Sequence, residues 1–217
     1  MPNRDPTETQ AAQQSSHRKG ILGAILAGGQ ARRLGGVSKS MLSIGSQTLG
    51  QVAVDLLAPR TSEIIALVGP GRPFPVGSVP QVRDLYPNLG PLAGLHAALN
   101  YAANTLPSRP RAVVLFAVDQ VLAPVEALDA LIAKAALQPD ANAVYLAPQG
   151  IPQPTYAIYR PGIFPEVSRR IKNRESLALK SLLEVPGSVQ CSTPYNAECF
   201  RGINTPGDLL AARRRKR

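Results

Sequence analysis

Ala112–Val118 is an unbroken run of seven apolar residues, and it constrains the fold more than any other segment. A run this short and this apolar reads as a strand buried on both faces of a covered sheet. Further strand candidates, less continuously apolar, lie at Ile21–Ala27, Ser62–Val68, Val79–Val82, Ala141–Leu146 and Thr155–Tyr159. Helix signals lie between and after them. Gln47–Leu57 carries Leu49, Val52, Ala53 and Leu56 at helical spacing. Pro91–Ala103, Pro124–Leu137, Pro161–Lys172 and Pro206–Arg214 each open on a proline, which suits the first helical position because its missing N–H would be unpaired there. Ser176–Leu183 also reads as a helix. No internal repeat is present. Strands alternating with helices predict an α/β fold: a Rossmann-like, mainly parallel twisted sheet with helices on both faces. In such sheets ligands bind beyond the carboxyl ends of the strands. The turns after Ala27 and Val68, the segment around Asp84, and Asp119 are therefore the positions of interest.

The 217 residues suit one domain with a tail at each end. Residues 1–19 are polar and are expected to be disordered, residues 20–212 to form a single domain, and residues 213–217 to form a basic tail. No apolar run approaches a membrane span, and the first residues lack the apolar stretch of a secretory signal. Cys191 and Cys199 are too few for a disulfide framework or a cysteine-only zinc site. A cytoplasmic location is expected. The net charge is +10, but Arg213–Arg217 carry five positive charges, and without them the excess falls to +5. Aromatic residues make up 5% and tryptophan is absent, so nucleic acid is not the expected partner. Arg169, Arg170, Lys172 and Arg174 form a second basic cluster, better placed for an anionic ligand.

The segment Leu26-Ala27-Gly28-Gly29-Gln30-Ala31-Arg32-Arg33-Leu34-Gly35-Gly36-Val37-Ser38-Lys39 matches neither of two common phosphate motifs. A Walker A loop needs glycine before its lysine, and here Ser38 precedes Lys39. The dinucleotide fingerprint fails because Gly28 and Gly29 are adjacent. Phosphate remains a natural ligand for a glycine turn whose backbone N–H groups can form a positive nest, with Arg33 and Lys39 to neutralise a triphosphate or departing pyrophosphate. A tight turn with solvated charges is equally compatible with glycine and charge alone. Asp84 precedes a loop that enters a small-residue helix at Gly90-Pro91-Leu92-Ala93-Gly94. Asp119 ends the longest apolar run, where a carboxylate can hold Mg²⁺ or cap the following helix. Thr205 can cap a helix whose first residue is Pro206, with Asp208 in its first turn.

Leu26-Ala27-Gly28-Gly29, then Arg33-Leu34-Gly35 and Lys39, resembles the signature loop of the molybdenum cofactor guanylyltransferases, within the nucleotidyltransferases that also activate sugar phosphates. Asp84 with Gly90–Gly94, Asp119, and Asn204-Thr205-Pro206-Gly207-Asp208-Leu209 match three more of its motifs in order, so the resemblance spans nearly all of residues 20–210. It implies the nucleotide-diphospho-sugar transferase type of fold and Mg²⁺-dependent transfer of GMP from GTP to the terminal phosphate of molybdopterin or the molybdenum cofactor. Arg33, Lys39 and Asp119 are then the catalytic residues. Leu26, Ala27, Gly28, Gly29, Lys39, Asp84 and Asp119 bind nucleotide, and Asp119 and Asn204 hold the metal. Gly29 points to GTP, since relatives that use CTP tend to have alanine there. The segment from Pro152, Gln153, Pro154 and Thr155 to Arg160 resembles the acceptor side, and Arg169, Arg170 and Lys172 would add a basic pocket for a pterin phosphate. Such enzymes hand a labile product onward, which implies an apo-molybdoenzyme or a cofactor chaperone as partner. Four positions depart from the family pattern. Ser38 stands where an acid is usual before the lysine, Val118 and Val121 replace the cysteine and proline around the aspartate, and Gly69-Pro70 replaces an asparagine near the base. A same-fold transferase with another acceptor or another NTP, or a non-catalytic nucleotide-binding homologue, stays open on these residues.

Overall fold

The first strand, β1 (Ile21–Leu26), is buried along almost its whole length because it has a strand on each side and helices on each face. In the computed structural model, which describes residues 20–29, 35–87 and 89–215, it pairs in parallel with β4 (Glu63–Val68) and β6 (Ala112–Ala117). Leu26 stands opposite both Leu67 and Ala117, so three strand ends finish level. β5 (Gln81–Arg83) extends the sheet beyond β4. On the other side come β8 (Gln153–Tyr159), antiparallel to both neighbours, then β7 (Ala143–Leu146) and β9 (Ser188–Cys191). The order of the seven strands is β5-β4-β1-β6-β8-β7-β9, and a separate two-stranded hairpin is made by β2 (Ser43–Ile44) and β3 (Gln47–Thr48). The fold is thus the mainly parallel α/β sheet expected from the alternation. The chain order reverses between β1 and β6, and that is where a crevice opens at the carboxyl ends of such sheets.

Alternate side chains of the strands feed two apolar layers. Ile25, Ala66, Val114 and Phe116 face the layer that also holds residues of α1 (Leu49–Leu57), α3 (Val125–Ala136) and α5 (Pro206–Arg215). Leu22, Ala24, Leu67 and Leu115 face the layer built with α2 (Pro91–Asn104) and α4 (Phe164–Asn173). Continuous apolarity in the strands is the direct consequence, because both faces are covered. Gly94 fits this packing: a Cβ there would lie 2.5 Å from Leu26 Cδ2, so it is the strand that the helix approaches closely.

Local chemistry sets the ends. Thr48 caps α1 by accepting from Gln51 N at 3.1 Å. Pro91 opens α2 after Gly90, whose φ is +68°. Pro124 lies just outside α3 as its cap rather than as its first residue. The expected helix at Ser176–Leu183 is instead a 3₁₀ segment, Leu179–Glu184. Its buried Leu179 and Leu182 are three residues apart, the 3₁₀ repeat, and Val185 before Pro186 is extended, as a residue preceding proline is pushed to be. β9 and β2 went unread because they are short and carry no apolar run, and Gln47–Thr48, expected as the start of a helix, form β3 instead, with Thr48 as the cap of α1. α5 runs to Arg215, so three residues of the expected basic tail are helical. Expected disorder in residues 1–19 falls outside the described residues. No helix among the described residues is long and apolar enough to cross a membrane.

Candidate active site

The level ends of β1, β4 and β6 bring three loops together. Ala27 N donates to Leu67 O at 2.9 Å and Val118 N to Leu26 O at 3.2 Å, carrying the sheet ladder into the turns. A Cβ on Gly28 would lie 3.1 Å from Gly69 N, so the Gly28-Gly29 turn and the Gly69-Pro70 turn are in backbone contact. Arg72, from the second turn, donates from Nη1 to Gly29 O at 3.3 Å. Arg72 was not among the expected residues, and its only sequence signal is a cation beside a glycine-proline breaker.

Lys39, Asp119 and Asn204 converge from three distant segments. Lys39 Nζ donates to Asp119 Oδ2 at 2.5 Å and to Asn204 Oδ1 at 2.6 Å. The Lys39 and Asp119 side chains are 13% and 19% exposed, so the pair is mostly shielded from water. Lys39 opens a 3₁₀ turn, Lys39–Met41, that is pinned by Met41 N to Ser38 O at 3.0 Å and by the buried Ser40, whose Oγ lies 2.9 Å from Ser38 Oγ. Ser38, the departure from the family pattern, therefore spends its hydroxyl on the turn.

Asp119 lies two residues beyond the end of β6, and its carbonyl accepts from Ile203 N at 3.0 Å. Gly202 is what lets the two chains close so tightly. A Cβ there would sit 2.9 Å from Asp119 Cγ, and its φ is not in the left-handed range, so space rather than backbone conformation demands glycine. Asn204 Nδ2 donates to Gly202 O at 3.0 Å, which turns Oδ1 toward Lys39. Thr205 and Asp208 cap α5 reciprocally: Asp208 N donates to Thr205 Oγ1 at 3.1 Å, and Thr205 N to Asp208 Oδ2 at 2.8 Å. Asn204 N donates to the same carboxylate at 3.0 Å, and that bond, with those from Thr205, holds the Asp208 carboxyl below its ordinary value. The cap expected from the sequence and the placement of Asn204 are one structure.

Asp84 is half-buried where the chain leaves β5, and burial pushes its carboxyl above the usual range. The loop after it is tied to the second layer by Tyr86, whose ring stands edge-on to His96 at 5.1 Å, and His96 in turn lies 4.8 Å from Phe164. Gln120, beside Asp119, was not anticipated. It is buried and donates from Nε2 to Phe200 O at 2.9 Å while accepting from Thr155 Oγ1 at 2.9 Å. It therefore joins the end of β6 to the start of β8 and to the turn that leads into Gly202–Asn204.

Other expected residues stand apart. Arg33 lies outside the described residues. On α4, Arg169 pairs with Glu166 and Glu175, and Arg170 pairs with Glu166 and Ser181. Hydrogen bonds from both arginines, Arg169 foremost, hold the Glu166 carboxyl at about 2. Among the described residues no hydrogen bond or ion pair links Arg169, Arg170 or Lys172 to the Lys39–Asp119–Asn204 group. A crevice of about 860 Å³, lined by Ile21, Arg111, Asn142 and Arg160 among others, lies at the opposite end of the sheet, so Ile158 and Arg160 of the segment expected on the acceptor side stand apart from the Lys39–Asp119–Asn204 group.

Among the described residues no three His, Cys, Asp or Glu side chains cluster. Asp119 and Asn204 do present one carboxylate and one amide oxygen to a single point, which a lysine ammonium takes as a stand-in cation. Magnesium is commonly held by one or two carboxylates with phosphate oxygens and water completing the shell, so the pair fits a cation that arrives with a phosphate ligand.

Comparison with known proteins accords with this geometry. The family model described as the MobA-like NTP transferase domain matches residues 23–189. The molybdenum cofactor guanylyltransferase of Mesorhizobium japonicum is 31% identical over 204 residues, covering 91% of this chain and 96% of that protein. Among solved structures, molybdopterin-guanine dinucleotide biosynthesis protein A from Archaeoglobus fulgidus superposes with a TM-score of 0.66 at 21% identity, covering 90% of this chain and 98% of that one. A Mycobacterium tuberculosis H37Rv protein solved in complex with manganese superposes with a TM-score of 0.63 at 16% identity, covering 90% and 98%. The match over most of the chain makes this protein a member of the MobA-like NTP transferase family of nucleotidyltransferases.

Proposed function

We propose that this protein transfers GMP from GTP to the terminal phosphate of molybdopterin or the molybdenum cofactor. An oxygen of the acceptor phosphate bonds to the α-phosphorus of GTP, the bond from that phosphorus to the bridging oxygen breaks, and pyrophosphate leaves. The observation that carries the reading is the meeting of Lys39, Asp119 and Asn204 at the ends of β1 and β6. Transfers of this kind depend on positioning and charge neutralisation, so a protein nucleophile is not required.

In this reading Leu26, Ala27, Gly28 and Gly29 present backbone to the nucleotide, Lys39 and Arg33 meet its phosphates, and Asp84 accepts from the base edge. Asp119 and Asn204 would hold Mg²⁺, which when bound supplies positive charge at the phosphate oxygens. Arg169, Arg170 and Lys172 are proposed for the acceptor phosphate. For either arginine to serve, that phosphate must take the place of Glu166, its present partner. The product, a labile dinucleotide cofactor, calls for direct delivery to an apo-enzyme or carrier, in keeping with a cytoplasmic protein.

The test is pyrophosphate release in the presence of Mg²⁺ and molybdopterin, with GTP, CTP and ATP compared. Release with GTP alone is expected. Release with another nucleotide would overturn the guanine assignment, and nucleotide binding without any release would overturn the proposed reaction.

A further inference from the structure

Lys39 has two roles to reconcile. Its ammonium sits 2.5 Å from Asp119 Oδ2 and 2.6 Å from Asn204 Oδ1, the two oxygens assigned above to the metal. A divalent ion bound at roughly 2.0–2.1 Å from the same oxygens would occupy nearly the same point as the ammonium. Two cations cannot share it, because like charges in a shielded site repel strongly. The lysine backbone is fixed by the 38–41 turn, whereas its four-carbon stem can swing.

We propose that Lys39 is an internal occupant of the cation position: a divalent metal reaches Asp119 and Asn204 only as the lysine leaves, and nucleotide phosphates draw it off. The inference rests on the reading of Asp119 as a metal ligand. The ammonium keeps the carboxylate paired until a triphosphate offers it a better partner, and the freed oxygens then accept the metal. By linkage, metal and nucleotide each strengthen the other's binding by the same factor. Part of that coupling would come from chelation by the phosphates themselves. The distinguishing consequence is therefore seen with metal alone.

The experiment titrates Mn²⁺ into the full chain without nucleotide and follows free Mn²⁺ by electron paramagnetic resonance. Lys39→Met removes the ammonium, and Lys39→Gln keeps a hydrogen-bond donor without charge. Both should bind Mn²⁺ tighter than the unaltered protein by about tenfold or more, within the usual span of coupling factors. Addition of a GTP analogue that cannot be cleaved between its α and β phosphates should then raise Mn²⁺ affinity less in the variants than in the unaltered protein. Asp119→Asn should weaken Mn²⁺ binding in every background. If Asp119→Asn does so but neither lysine variant binds tighter, the occupant role is overturned while the metal reading stands. If Asp119→Asn leaves Mn²⁺ affinity unchanged, the metal reading falls and the proposal falls with it.

Discussion

Asp119 illustrates how one residue can be legible while its surroundings are not. Its place at the end of an apolar run named it, and the convergence with Lys39 and Asn204 followed from motifs in the right order. Gln120 was silent because its partners, Thr155 and Phe200, are remote in sequence and meet it only through the fold. Asp119→Asn should lower pyrophosphate release by at least about 100-fold with little change in the thermal midpoint, in line with removal of one charge-stabilising group. Gly202→Ala should lose activity in the same direction, because its Cβ would press on the carboxylate at 2.9 Å. Steady-state release assays on both variants check this. Asp84 makes a prediction in pH. Burial raises its carboxyl above the ordinary 3.8, so as pH falls it protonates earlier than a surface acid and stops accepting from the base. GTP affinity measured by calorimetry should therefore weaken on acidification while Asp84 is present. Asp84→Asn should bind GTP weakly at neutral pH and lose that dependence. The same sign carries to stability: an acid with a raised folded value is penalised when ionised, so Asp84→Asn should not lower the neutral-pH midpoint.

Elements were readable where periodicity and proline agreed. The α2 helix was placed almost to the residue because Pro91 fixes its start and alanines fill its interior. The 3₁₀ segment at Leu179–Glu184 was misread because three or four apolar residues cannot separate a 3.0 from a 3.6 repeat. β9 escaped because Ser188, Val189, Gln190 and Cys191 have the look of a loop, and only pairing to β7 makes them a strand. The α5 start joins element to function. Thr205→Ala removes the oxygen that accepts from Asp208 N and should cost about 1 kcal/mol, the usual loss for a helix cap. That amounts to roughly 2–4 °C in the midpoint for a chain of this size. Since Asn204 shares the Asp208 carboxylate, the variant should also lose more activity than a comparable cap removal at Thr48 on α1. The Asp208 carboxyl is held low, so its bonds persist at neutral pH and weaken only as acidification passes through its depressed value, below 3.8. Comparison of Thr48→Ala with Thr205→Ala, in melting and in release assays, separates stability from placement.

At the scale of the molecule, the site depends on the whole sheet. Lys39 precedes the hairpin, Asp84 follows the edge strand β5, Asp119 follows β6, and Asn204 follows the last strand and precedes α5. None of these residues lies near another in an unfolded chain. The strand alternation and the mainly parallel sheet could be read from sequence, since they follow from the apolar pattern. The reversal of β8 could not, because an antiparallel strand buried on both faces has the same apolar signature as a parallel one. A ligand that needs all four segments binds only the folded protein, and its effect on stability follows from mass action. At about one hundred times its dissociation constant it should add about 2.7 kcal/mol, which for a chain of this size raises the midpoint by on the order of 5–10 °C. GTP with Mg²⁺ should produce that shift, measured by calorimetric melting at matched saturation. Asp84→Asn and Asp119→Asn, which start from folds expected to be as stable as the parent, should show little shift at the same nucleotide concentration. An equal shift in both variants would mean that the nucleotide binds elsewhere on the molecule, and the crevice at the opposite end of the sheet would be the next place to probe by substitution at Arg111 and Arg160.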